Sequence, residues 1–210
     1  MNFRQLIRSL FVAVPAVLVL VSTYTTANES DTSTAIFAGG CFWCVESDFD
    51  SVPGVLETVS GYAGGETKNP TYKNHHQGRH REVVRITYDP SKVTYDQLLD
   101  IFWRSVDPTD GGGQFCDRGH SYTTAVYAVD DEQQKAALAS KMMLEDSGVL
   151  AKPIVTPVEA AGEFWPAEDY HQGYYQKNPI RYKYYRTACG RDRSVNKVWG
   201  DQAHAGLEKH

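Results

Sequence analysis

The segment Gly39-Gly40-Cys41-Phe42-Trp43-Cys44 constrains the fold of this chain more than any other stretch. A short apolar run, 35–38, precedes the two glycines and predicts a buried strand. Apolar residues then recur at helical spacing from Phe42 to Val52, and Pro53-Gly54 ends the pattern. The segment therefore predicts a strand, a tight glycine turn and a helix, with Cys41 at the start of that helix.

Cys41 occupies a position where a thiol is chemically useful. The start of a helix carries unpaired N–H groups and the positive end of the helix dipole, and both favour a negative charge. A thiolate there is stabilised, and the thiolate is the nucleophilic form of cysteine. We therefore predict that Cys41 is a reactive cysteine with a stabilised thiolate, and not a buried structural one.

The rest of the chain continues as alternating strands and helices. Short runs of apolar or alternating residues predict strands at 55–62, 82–88 and 123–129, and a further strand within 153–158. Residues typical of helices predict helices at about 94–103 and 131–147. The order strand-helix-strand-strand-helix-strand is that of the split βαβ plait of ferredoxin-like domains. We expect an α/β (α+β) fold, a mainly antiparallel or mixed sheet with both helices on one face, and a long wrapped C-terminal coil.

Two segments lack clear periodicity. The long loop before residue 82 contains Tyr72, His75, His76 and His80, and we expect these histidines to be solvated because no acidic or cysteine partner lies nearby at metal-ligand spacing. The tyrosine-rich tail from residue 163 is predicted to be irregular and held on the domain by aromatic packing.

Glu82 begins the more apolar face of the strand 82–88. On the core side of a strand end a carboxyl group is desolvated, which raises its pKa and favours the protonated acid. The alternative is a strand-end glutamate that turns out to water. The pattern alone leaves both interpretations open.

Charge and cysteine content exclude several functional classes. The 210 residues carry a net charge of −5, which offers no basic surface for nucleic acid. The four cysteines are too few for a disulfide scaffold and lack the second close pair of a common zinc site. We expect one catalytic domain at 34–200 with a C-terminal tail at 201–210.

The N-terminal residues 1–27 have the pattern of a secretory signal. Arg4 and Arg8 precede an apolar run, 10–21, and small residues lead to a plausible cleavage site after Ala27. A polar lead, 28–33, would follow. The prediction is an exported, periplasmic or otherwise extracytoplasmic protein, and the alternative is an uncleaved N-terminal membrane anchor.

Six blocks of this sequence resemble the peptide methionine sulfoxide reductases of the A type. They occur in the family's order, as Gly40-Cys41-Phe42-Trp43, 61–65, 69–72, 80–82, 117–122 and 167–172. The resemblance implies reduction of the S epimer of methionine sulfoxide, free or in proteins, and hence repair of oxidised proteins. It also implies an α/β plait with a wrapped tail.

The resemblance assigns roles in the sulfoxide site. Cys41 matches the family nucleophile that attacks the sulfoxide sulfur, and Glu82 matches the acid that protonates its oxygen. Tyr72 and Tyr122 match two tyrosines that hydrogen-bond the same oxygen, and Asp117 matches a nearby polar residue.

Two aromatic residues match the apolar wall around the substrate's methyl group. These are Phe42 and Trp43, and because Phe42 also fits the core stripe of its helix, Trp43 is the surer substrate contact.

Recycling needs a second thiol, which converts the Cys41 sulfenic acid to a disulfide. The candidates are Cys189, Cys44 and Cys116, and Cys44 stands where the commonest family pattern has glycine. Many family members use a tail cysteine, which favours Cys189, whereas the Cys-x-x-Cys spacing favours Cys44. We expect no bound cofactor or metal, an external thioredoxin-like dithiol as reductant, and a monomer.

Two rival functions use the same cysteines. One is a general thiol–disulfide oxidoreductase built on Cys41 and Cys44, although thioredoxin-like proteins usually carry their tryptophan before the first cysteine. The other is a zinc or binding module with all four cysteines as ligands.

Overall fold

The protein forms a six-stranded sheet with helices, and the computed structural model describes residues 32–207. The strands are β1 Ser33–Gly39, β2 Val55–Ala63, β3 Arg81–Tyr88, β4 Gly113–Gln114, β5 Asp117–Arg118, β6 Thr124–Ala128, β7 Val158–Ala160 and β8 Trp165–Pro166. The helices are α1 Phe42–Asp50, α2 Tyr95–Arg104, α3 Asp131–Ser147, α4 Tyr174–Lys177, α5 Pro179–Cys189 and α6 Arg191–Trp199.

The large sheet has the strand order β7-β6-β1-β3-β2-β8. Its four central strands are all antiparallel, while β7 runs parallel to β6, so the sheet is mixed. Strands β4 and β5 form a separate small hairpin. The predicted split βαβ plait is therefore confirmed, including its mixed sheet.

Alternate residues of β1 pack into hydrophobic clusters on the two faces of the sheet. Ala35 and Phe37 belong to the larger hydrophobic cluster, which contains apolar residues of both α1 and α2, and the rings of Phe37 and Phe102 stack 4.8 Å apart. Ile36 and Ala38 belong to a smaller cluster on the opposite face. Helices α1 and α2 thus cover one face, as the sequence predicts.

The turn between β1 and α1 requires glycine. Gly40 has φ of +87°, and a Cβ there would lie 2.6 Å from the Cβ of Gln114. Gln114 is itself fixed, because its side-chain amide bonds the backbone of Asp107 in both directions. The turn places Cys41 at the N-cap of α1, beside the centre of the sheet.

The C-terminal segment differs from its prediction. We expected an irregular coil, but α4, α5 and α6 occupy most of 174–199. Pro179 starts α5, and Gly190 ends it in the left-handed conformation that also begins α6. These helices contain many tyrosine and arginine residues and few aliphatic ones, so no clear apolar stripe predicts them.

The strand expected within 153–158 is also displaced. Strand β7 begins only at Val158, because Pro153 and Pro157 lack the N–H that a sheet ladder needs.

The predicted leader 1–27 lies outside the described residues. Within 32–207, no helix combines the length and the apolar character needed to cross a bilayer.

Candidate active site

Cys41 and Cys44 form a buried pair of free thiols at the start of α1. They are 7% and 2% exposed and pack against Tyr182 of α5. A side-chain hydrogen bond joins Cys41 and Cys44. Both cysteines lie in the first turn of α1, directly after the glycine turn, and this places their side chains next to each other.

The thiol pair does not titrate as the sequence predicts. Burial raises the pKa of Cys41 well above its usual range, and the hydrogen bond to Cys44 and the charge of Glu82 add to this rise. The hydrogen bond with Cys41 lowers the pKa of Cys44, with a further contribution from Arg191. Cys41 is therefore a thiol at rest, and the expected resting thiolate is wrong.

Glu82 also contributes to this difference, after burial and Cys44. Its Oε2 accepts the hydrogen bond of the Phe42 N–H over 3.0 Å, so the carboxyl group takes a backbone donor of the first turn of α1. Burial raises the pKa of Glu82 to about 8, and the hydrogen bond from Phe42 offsets this only in part. Glu82 therefore holds its proton at neutral pH and can act as a hydrogen-bond donor and acid.

Three further polar side chains, which the resemblance assigns to the sulfoxide site, lie near Glu82. They are Tyr72, Tyr122 and Asp117. Burial raises the pKa of Tyr72 to about 12 and also raises that of Tyr122, and in both cases the charges of Glu82, Cys41 and Asp117 add to the rise. Both hydroxyls thus remain protonated donors. Burial raises the pKa of Asp117 as well, although Tyr185 donates a hydrogen bond to its Oδ2.

The two aromatic residues differ in their surroundings. Phe42 is 1% exposed and packs between the rings of Tyr62 and His171, so it is part of the core. Trp43 is only half-buried: its ring stacks on that of Tyr174 at 3.7 Å, and its N–H donates to Nδ1 of His171. Trp43 therefore has the surface that a substrate could contact.

The histidines of the long loop are largely buried, contrary to the expectation. His75 is 3% exposed and stacks on Tyr62, with its Nε2 4.0 Å from Oε1 of Glu82. His80 is buried against Thr67, and only His76 is exposed. The loop folds back onto the site, which its lack of periodicity could not reveal.

Glu168 holds this loop in place, a role that the sequence reasoning missed. Its Oε1 accepts the N–H of Tyr72 and its Oε2 accepts the hydroxyl of Tyr62, each over 3.0 Å. The motif 167–172 had drawn attention to Glu168 through the resemblance but gave it no role. Tyr185, whose hydroxyl contacts both Asp117 and Cys41, carried no signal among the many tyrosines of the tail.

The remaining two cysteines are bonded to each other. Cys116 and Cys189 form a disulfide of 2.08 Å between the β4–β5 hairpin and the end of α5. Cys116 is exposed and Cys189 is partly covered. Of the three predicted partners of Cys41, Cys44 thus lies beside it as a free thiol, while Cys189 and Cys116 form a separate pair.

In the described residues, one group of side chains has the arrangement of possible metal ligands. It consists of Cys116, Asp117 and Cys189, whose ligand atoms lie within 4.8 Å of one another, and two of the three are joined in the disulfide. Cys41 and Cys44 do not belong to it, so the four cysteines do not form one ligand set.

Comparison with known proteins bears on this site. A family model described as peptide methionine sulfoxide reductase matches residues 33–203. The chain is similar to the peptide methionine sulfoxide reductase MsrA 2 of Rhizobium meliloti (strain 1021), with 59% identity over 86% of this chain and 90% of the relative. It is 50% identical to MsrA of Bacillus pumilus over 80% of this chain and 96% of that protein.

A solved structure gives the same result. The chain resembles the methionine sulfoxide reductase A of Corynebacterium diphtheriae with a TM-score of 0.64 and 34% identity, covering 73% of this chain and 78% of that one.

Proposed function

The chain belongs to the A-type peptide methionine sulfoxide reductases, and from this premise we propose that it reduces the S epimer of methionine sulfoxide, free or in proteins, through Cys41. The observation that supports the mechanism is that a nucleophile, Cys41, and a neutral acid, Glu82, lie at the same helix start. Cys41 caps the helix whose first N–H binds Glu82, so both groups face the same space.

A sulfoxide is a weak electrophile, which is why both groups are needed. The sulfur of Cys41 attacks the sulfoxide sulfur while the protonated Glu82 gives its proton to the sulfoxide oxygen. The hydroxyl group so formed then moves to the Cys41 sulfur as the bond between the two sulfurs breaks, and the proton of the Cys41 thiol replaces the one that Glu82 gave up. Tyr72 and Tyr122 are proposed to hydrogen-bond the sulfoxide oxygen, and Trp43 to contact the methyl group. The products are methionine and a Cys41 sulfenic acid, so the substrate loses one oxygen and Cys41 gains it.

Cys44 is proposed as the first resolving thiol. Its side chain lies in the same buried cluster as that of Cys41 and shares a hydrogen bond with it. Attack of Cys44 on the sulfenic acid forms a Cys41–Cys44 disulfide and releases water. Exchange with the reduced pair of Cys116 and Cys189 then moves the disulfide to the position seen in the structure and frees Cys41.

An external thioredoxin-like dithiol is proposed to complete the cycle. Cys116 is exposed, so a protein dithiol can reach the Cys116–Cys189 disulfide although Cys41 and Cys44 are buried. We infer a monomer with oxidised proteins and free methionine sulfoxide as its substrates.

The reaction is tested by turnover of the two epimers of a methionine sulfoxide ester with dithiothreitol. We expect the S epimer to be consumed and the R epimer to remain. Equal turnover of both epimers, or reduction of insulin disulfides without any sulfoxide activity, would favour the general thiol–disulfide oxidoreductase instead.

Export is a further part of the proposal. Its support is the basic start, the short apolar run and the small residues before Ala27. In an exported protein the reducing equivalents must come through a thioredoxin-like protein outside the cytoplasm. Mass spectrometry of the native protein should find a chain beginning near Asn28, whereas an intact N-terminus would indicate an anchor.

A further inference from the structure

The Cys116–Cys189 disulfide has two unequal sulfurs. Cys116 is exposed, while Cys189 is partly covered at the end of α5. Two polar groups converge on the sulfur of Cys189: the backbone N–H of Cys116 donates to it over 3.2 Å, and Oδ2 of Asp117 lies 3.9 Å from it. A nucleophile from solvent therefore meets Cys116, and the polar groups face the sulfur that would leave.

We propose that Asp117 is a catalytic residue of recycling, which gives a proton to the Cys189 sulfur when an external dithiol attacks the Cys116 sulfur. This inference rests on the proposed function only for the nature of the dithiol. It adds to the role that the resemblance gives Asp117 beside the sulfoxide.

The step balances as an ordinary thiol–disulfide exchange. The attacking thiolate forms a bond to the Cys116 sulfur, and the Cys116–Cys189 bond breaks. The electron pair of the broken bond stays on the Cys189 sulfur, which takes the proton of the Asp117 carboxyl group. The second thiol of the dithiol then attacks the mixed disulfide, releases Cys116 and restores a proton to Asp117, so the dithiol is oxidised and the protein disulfide reduced.

Leaving-group stabilisation selects Cys189 for this role. The rate of exchange rises as the departing thiolate becomes more stable, and an N–H hydrogen bond stabilises a thiolate. The Cys116 N–H provides that bond before the reaction begins, and the adjacent carboxyl group can convert the thiolate to a thiol.

The burial of Asp117 favours its protonated form. Burial raises its pKa, while the hydrogen bond from Tyr185 and the charge of Arg191 oppose the rise. The titratable groups that face it are Tyr185 from α5, Arg191 from α6, and Glu82, Tyr72 and Tyr122 from the sulfoxide site.

The test follows reduction of the disulfide alone, with no sulfoxide present. The oxidised full-length protein is mixed with dithiothreitol at several pH values, quenched and alkylated, and free Cys116 and Cys189 are counted by mass spectrometry. Rates are divided by the concentration of dithiothreitol thiolate. In the wild type this normalised rate should fall as Asp117 loses its proton with rising pH.

Asp117→Asn should slow the reduction by about tenfold or more at the low end of that range and make the normalised rate independent of pH. The matched control is Asp110→Asn in the same region, because Asp110 pairs with Arg118 and not with the disulfide. It should behave as the wild type. An Asp117→Asn protein with the wild-type rate and pH slope would overturn the proposal.

A second measurement uses the wild-type protein and so does not depend on how the variant folds. A thioredoxin-like protein whose second cysteine is replaced by serine traps the mixed disulfide. Peptide mapping should find it on Cys116, and a mixed disulfide on Cys189 would contradict the proposal. Neither measurement involves sulfoxide, so failure of the proposed reductase activity is seen separately in the epimer assay.

Discussion

At the scale of single residues, Glu82 lies 2% exposed where β3 meets the first turn of α1. It accepts the N–H of Phe42, one of the helix-start donors that the sequence argument had counted as unpaired. The pattern of β3 left open whether Glu82 is buried and protonated or turns out to water. It could not predict that this residue, forty positions after Phe42, competes for the same helix start, because that contact depends on the pairing of distant strands.

Replacing Glu82 by glutamine removes the acid but keeps the size of the side chain. We expect Glu82→Gln to lower the single-turnover rate of S-sulfoxide reduction on the order of a hundredfold or more, since a positioned general acid contributes that much. Rapid-quench measurement of methionine formation checks this. A decrease below about tenfold would show that the proton comes from another group.

The same variant has a predicted effect on stability. The pKa of Glu82 is about 8 in the folded protein, above its ordinary value, so between these values the folded state holds more protons than the unfolded state. The wild-type free energy of unfolding should therefore lose up to about 1.4 kcal/mol per pH unit on this account as pH rises through that window. Above pH 8 this loss should be complete.

Urea unfolding at pH 5 and pH 8 measures the effect. Because glutamine does not ionise, Glu82→Gln should gain stability relative to the wild type as pH rises. Parallel pH dependence in the two proteins would mean that Glu82 is ionised at neutral pH.

At the scale of elements, the plait was predictable and the tail was not. Strands such as β3 and helices such as α2 carry their own alternation or apolar stripe, and α2 begins with the capping box of Thr94 and Gln97. The helices α4 to α6 are fixed by packing on α1, where Tyr174 stacks on Trp43. That dependence on a partner leaves little trace in the local sequence.

One buried ion network joins the tail to α1. Asp48 is fully buried and accepts a hydrogen bond from Arg186 over 2.6 Å, and Arg191 lies 3.6 Å away. Asp48→Asn leaves the buried Arg191 without its ion pair to Asp48, while Arg186 keeps its pair with Asp192, so we expect a loss of about 3–5 kcal/mol in the free energy of unfolding. Chemical denaturation checks this value.

The matched control is Asp100→Asn, whose partner Arg104 forms an exposed i,i+4 pair. It should cost less than about 1 kcal/mol. Equal effects of the two substitutions would show that the buried network does not hold the tail on α1.

At the scale of the whole molecule, two redox centres lie side by side. The buried pair Cys41 and Cys44 faces substrate, the Cys116–Cys189 disulfide faces solvent, and Tyr185 contacts both Cys41 and Asp117. The sequence supplied all four cysteines and left their pairing open. The Cys116–Cys189 pairing depends on the contact between the β4–β5 hairpin and the end of α5, and no local sequence pattern predicts that contact.

Recycling should fail when the exposed centre is broken. We expect Cys189→Ser to form the first methionine at the wild-type rate but to lose most turnover with a thioredoxin-like protein, because the disulfide cannot leave the buried pair. Dithiothreitol should still support turnover, since a small dithiol can enter the site. Normal thioredoxin-dependent turnover would show that Cys44 alone completes the cycle.

The most direct test of the account is a disulfide map after a single turnover. Fully reduced protein receives one equivalent of methionine S-sulfoxide and no reductant, and methionine and alkylated peptides are then quantified. We predict one methionine per chain, a Cys116–Cys189 disulfide with Cys41 and Cys44 free, and no methionine from Cys41→Ser. Methionine formed by Cys41→Ser, or a final product with only a Cys41–Cys44 disulfide, would contradict it.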